Sequence, residues 1–67
     1  MELLVIKTRG GYLRIKPDEF LTVNLDRASV FPMAKLDHVR DLEARARDRG
    51  FEAVVVKKLV LAEEDLS

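Results

Sequence analysis

The chain contains a single histidine, His38, and no cysteine. A transition-metal site needs several nitrogen or thiolate donors, so His38 alone cannot close one. Asp37 and Asp41 lie one and three residues away. The two serines, Ser29 and Ser67, fall in a connecting segment and near the last residue, so no nucleophile is placed beside a base. Acidic pairs occur at Asp18-Glu19 and Glu63-Glu64-Asp65. Hydrolytic acid–base work requires carboxylates sheltered in a pocket that separates their pKa values, and a turn and an acidic tail offer little shelter. Asp37 with Asp41 is a like-charge i, i+4 pair near a helix start, where acids are favoured anyway. Gly10-Gly11 lacks the spacing of a phosphate loop and precedes a strand rather than a helix. These residues assign no catalytic, metal or cofactor-binding role, and the expectation is a protein that is not an enzyme and carries no cofactor.

One constellation does suggest binding. Lys7, Arg9, Tyr12, Arg14, Lys16 and Phe20 fall on one side of a strand pattern. Basic residues interleaved with aromatics on strands are what single-stranded nucleic-acid binders use, with bases stacked and phosphates neutralised. Twelve basic and twelve acidic residues cancel over the chain, which argues against bulk capture of polyanions. The first sixteen residues nevertheless hold four bases against one acid. The competing reading is an outer face covered by a second protomer or another protein.

The elements that position this face are legible in the pattern. Leu3–Thr8 and Tyr12–Lys16 flank Gly10-Gly11, which suits the tight primed turn of a hairpin spanning 2–16. Alternation puts Leu4, Ile6, Thr8, Leu13 and Ile15 on a core face and Leu3, Val5, Lys7, Arg9, Tyr12, Arg14 and Lys16 on the other. Lys16-Pro17-Asp18-Glu19 is a turn. A third strand over 20–25 is expected to place Leu21 and Val23 on the core face and Phe20 outside. Leu25–Ala28 reads as a turn and Ser29–Phe31 as a short extended piece, with Pro32 opening a helix.

The helix is expected over 33–49. Leu36, Val39, Leu42 and Ala46 form its apolar stripe, and His38 points away from it. Asp41–Arg45 and Glu43–Arg47 are favourably ordered i, i+4 pairs. Gly50 is the expected cap. A last strand over 51–61 follows, apolar on both faces at Ala53–Val56, and an acidic tail over 62–67. It is expected to run parallel to the third strand, beside either the third or the first. The expected fold is α+β: a small β-β-β-α-β domain, a mostly antiparallel sheet with one helix on one face. This order is similar to that of many small bacterial and phage proteins, a likeness of arrangement that carries over no functional residue.

Sixty-seven residues suit a single domain near the lower size limit for an unaided core. The longest apolar runs, Leu3–Ile6 and Ala53–Val56, are too short to span a membrane, and Met1-Glu2 lacks a signal peptide's basic flank. A cytoplasmic protein without membrane contact is expected. One helix covers one sheet face, leaving Leu3, Val5, Tyr12 and Phe20 outside, and each large apolar side chain gains about 1.5–3 kcal/mol on burial. A homodimer or similar partner complex is therefore expected, with Leu3, Val5, Val54, Val56, Leu59 and Leu61 as candidate contacts.

Overall fold

The structure is a computed structural model that describes residues 2–60. It shows an antiparallel five-stranded sheet with one helix packed on it. The elements are β1 (Glu2–Thr8), β2 (Gly11–Ile15), β3 (Phe20–Val23), a 3-10 turn (Leu25–Arg27), β4 (Val30–Pro32), a second 3-10 turn (Met33–Lys35), α1 (Leu36–Asp48) and β5 (Val55–Val60). The extended piece around Val30 is thus a fifth strand. The acidic tail expected over 62–67 lies outside the described residues.

β1 is the hub. β5 runs antiparallel along it from Glu2↔Val60 to Lys7↔Val55. On the opposite edge β2 pairs only at Lys7↔Tyr12 and Thr8↔Gly11, and β4 takes the remainder at Leu3↔Pro32, Leu4↔Phe31 and Val5↔Val30. Where β2 leaves β1, Ser29 bridges the gap. Its amide donates to the Leu13 carbonyl at 3.1 Å, and its hydroxyl accepts from the Ile15 amide at 2.8 Å. α1 then crosses from β4 to β5, two parallel strands with β1 between them. The last strand is therefore antiparallel to the first and third, not parallel to the third as expected. The strand that feeds the helix is the short β4, and the crossover runs from there.

Two turn geometries shift the expected registers. The first loop is Arg9-Gly10 rather than Gly10-Gly11. Gly10 has φ +89, and Gly11 is already in the ladder, where a Cβ would lie 2.6 Å from the Val23 carbonyl oxygen. The pairing moves by two residues, an even slip, so both faces of β1 and β2 keep their members. The second loop, closed by Lys16 N–H donating to Glu19 O at 2.9 Å, is one residue longer than expected. Ile15 now pairs with Phe20 and Arg14 with Leu21. This odd slip turns β3 over: Phe20 faces the helix, while Leu21 and Val23 face outward.

The core lies between sheet and helix: Leu4, Ile6, Leu13, Val39, Leu42, Ala46 and Val54, with Ile15, Phe20, Phe31, Phe51 and Val56 packed against it. Leu36, expected in the stripe, opens the α-helical segment and is exposed, because Met33–Lys35 form a 3-10 turn before it. His38 is exposed and meets Phe31 edge-on at 6.0 Å. The helix ends in paired bonds across its last turn, with Gly50 N–H donating to Arg47 O and Phe51 N–H to Ala46 O, and Gly50 at φ +92. This is the cap glycine permits. Residues 51–54, expected as strand, form a loop instead, held by Ala53 in the left-handed region at φ 55.

Candidate interaction surface

The register sets three cross-strand rows on the sheet face away from the helix. Val23, Tyr12, Lys7 and Val55 form one, Val30, Val5 and Lys57 the second, and Pro32, Leu3 and Leu59 the third. Arg14 and Leu21 sit side by side at the β2–β3 end. Among the described residues, every strand residue on this face is thus apolar, aromatic or cationic, and none is acidic.

The face is partly closed by the chain itself. The Leu25–Arg27 turn passes over it, so that Leu25 lines a depression with Val5, Lys7, Tyr12, Lys57, Lys58 and Leu59. Val5 lies at the bottom, only 2% exposed between Val30 and Lys57 on the neighbouring strands. Lys7 Nζ stands 6.0 Å from the Tyr12 ring centroid, and Arg14 Nη1 donates to the Arg27 carbonyl at 3.4 Å. Around the depression, Leu25, Val30 and Val55 are exposed, and Leu3, Leu21, Val23 and Leu59 are half-buried. Asp26, on the turn, lines a separate depression with Gly10, Thr22, Val23, Asn24 and Arg27.

The structure brings together Lys7, Tyr12 and Arg14 of the expected basic–aromatic set and separates the rest. Lys16 lies in the following turn. Arg9 is held at the hairpin tip, its guanidinium 2.8 Å from the Glu52 carboxylate and its amide donating to the Glu52 carbonyl, which also accepts the Thr8 hydroxyl at 2.8 Å. Phe20 is on the helix side. The Arg49 guanidinium sits 4.3 Å from its ring centroid, and Phe51 lies 6.4 Å away. Its expected place on the outer face is corrected by the one-residue slip in β3.

The candidate dimer contacts divide likewise. Val54 is buried in the core and Val56 packs against it, so both serve the fold. Val5 is on the outer face but already covered, while Leu3 and Leu59 are partly open there. Leu61 lies outside the described residues. Lys57, Leu25, Val30 and Val55 were not singled out from the sequence. The alternation Val55–Lys57–Leu59 carried the signal for β5, hidden by an apolar run that read as strand from residue 51.

On the helix side one buried acid has a structural task. Glu43, 7% exposed, accepts from Arg40 at 3.4 Å and from Arg47 at 3.2 Å. Arg47 donates as well to the Val54 carbonyl at 3.0 Å, tying the helix to the approach to β5. Among the described residues no buried side-chain nitrogen or oxygen lacks a partner, and no three metal-ligating side chains gather. No described helix is long and apolar enough to cross a membrane. Compared with known proteins, the chain matches no family model, no curated protein and no solved structure.

Proposed function

We propose that this protein is a non-enzymatic interaction module whose outer sheet face docks on the surface of a protein partner. The observation that supports it is the composition of that face: open apolar side chains at Leu25, Val30 and Val55 with Lys7, Arg14 and Lys57 spread among them and, among the described residues, no acidic strand residue. Apolar rows gain by covering, and cations within them select a surface bearing carboxylates. Stacking two copies of this face directly on each other would bury cations against a surface that supplies no counter-charge from its strands, a costly arrangement. A nucleic-acid partner has weaker support, since Phe20 is turned away, Arg9 is paired with Glu52, and Tyr12 is the one aromatic left on the face.

Site-specific photocrosslinking in cells tests the reading. A photoreactive residue at Val30 or Leu25 is expected to give a discrete protein adduct that is lost with Lys7→Glu/Arg14→Glu. The same probe at Ala44, exposed on the helix, is expected to give none. Adducts to nucleic acid, or equal labelling from all three positions, would overturn it.

A further inference from the structure

The depression on the outer face is too small for most free ligands. It encloses about 190 Å³, whereas sites for cofactors and other small molecules run to about 300–1,000 Å³. Val5 is its floor, with Leu25, Leu59 and Tyr12 around it. An apolar floor of this size suits one side chain carried in by a larger molecule, the arrangement that concentrates binding energy at protein interfaces. The Leu25 wall is fixed in advance. Its turn is closed by Arg27 N–H donating to the Asn24 carbonyl at 3.0 Å and by Ala28 N–H donating to the Leu25 carbonyl at 3.2 Å, and Arg14 reaches the Arg27 carbonyl from β2. A preformed wall spares the ordering cost of a loop that must close on its ligand.

Two cations stand at the rim. Val5 pairs with Lys57 and Lys7 with Val55, so Lys7 and Lys57 are diagonal neighbours on one side of the β1–β5 ladder. Both are exposed, and among the described residues neither joins a salt bridge. Lys58 is on the helix side with Leu4 and holds Glu2 at 3.8 Å. Two ammonium groups over one depression repel each other, and a carboxylate brought to the rim relieves that repulsion. The Lys7 ammonium lies over the Tyr12 ring, 6.0 Å from its centroid, and so occupies the ring face on which a nucleobase would stack.

From this geometry we infer that the depression is an anchor site for one aliphatic side chain of a partner protein, flanked in the partner by carboxylates that meet Lys7 and Lys57. The occupant is an acidic segment with a leucine-like residue at its centre. The inference rests on the docking reading and deepens it, naming the point of attachment and the chemistry of the segment. Apolar burial supplies the affinity, and the two lysines reject a segment of like charge.

The test is an amide-shift NMR titration of the full chain with three capped pentapeptides: Asp-Glu-Leu-Glu-Asp, the uncharged Asn-Gln-Leu-Gln-Asn and the anchorless Asp-Glu-Gly-Glu-Asp. The first is expected to bind with a Kd of about 0.1–1 mM, weak because a free peptide must be ordered on binding. Its shifts are expected to centre on Val5, Tyr12, Leu25 and Leu59. Loss of the flanking charges is expected to weaken binding about tenfold, the equivalent of two exposed ion pairs, and loss of the leucine by about tenfold or more. K7Q/K57Q is expected to keep the native spectrum and to bind the acidic and uncharged leucine peptides equally. Absence of shifts at about 5 mM acidic peptide, equal binding of all three peptides by the native chain, or a charge preference that survives K7Q/K57Q would overturn the inference. So would tighter binding of a thymidine oligonucleotide at the same residues. In any of the first three cases, persisting protein adducts at Val30 or Leu25 would leave the docking reading standing, whereas their loss would remove it independently.

Discussion

The two faces of this sheet are built from the same kinds of residue and end in different conditions. On the helix side, Leu4, Ile6 and Leu13 are closed over by Val39, Leu42 and Ala46. Charges there bind the chain to itself: Glu43 holds Arg40 and Arg47, and Arg49 lies on Phe20. On the outer side, valines and leucines stand beside Lys7, Arg14 and Lys57, and a single turn covers part of them. A small domain can close one side of a sheet with one helix; what the other side carries is then available for a partner. Apolar residues alone do not separate folding from binding. Whether the neighbouring charges already have counter-charges among the described residues does.

The largest effects are expected on the closed side. Leu13→Ala removes a fully buried side chain and is expected to cost about 2–5 kcal/mol in urea unfolding followed by circular dichroism. Val30→Ala on the open side is expected to cost less than about 1 kcal/mol, in the range of surface substitutions with a small allowance for strand propensity. Comparable losses at the two positions would erase the distinction between the faces.

Gly11→Ala sharpens the register. A Cβ there meets the Val23 carbonyl at 2.6 Å, so β3 must move away, at about 1–3 kcal/mol. Thermal melting is expected to show the loss, with the amide signals of Tyr12 and Val23 the most displaced. An unaffected stability would mean that β3 is not seated as described.

Ser29→Ala leaves the Ile15 amide without its acceptor and is expected to cost about 1–2 kcal/mol, with faster amide exchange at Ile15. Smallest is Ala53→Gly. It relieves a left-handed alanine and loosens the unfolded chain, for a net gain of about 0.5–1 kcal/mol, read as a raised urea midpoint.

The sequence discloses the faces of the hairpin because period-two alternation survives an even slip; choosing Gly10-Gly11 over Arg9-Gly10 as the loop moved every partner and no face. It fails at β3 because a single extra loop residue between Lys16 and Phe20 reverses a strand, and turn propensity does not count loop residues that closely. β4 is only three residues long, too little for periodicity to register as a strand, and only its ladder with β1 makes it one. The valine run at 53–56 reads as strand because a buried loop residue such as Val54 has the same hydrophobicity as a ladder residue. The cations Lys7 and Arg14 were legible as part of the outer sheet face. Lys57 was not, since its place depends on β5 lying against β1.

The triple variant Leu25→Gln/Val30→Thr/Val55→Thr tests the division of labour most directly, by urea unfolding beside the parent chain. Three exposed apolar residues removed from the outer face are expected to leave stability within about 1 kcal/mol of the parent, because surface positions contribute little to folding. A loss approaching that of Leu13→Ala would show that this face belongs to the protein's own core and is not held open for another molecule.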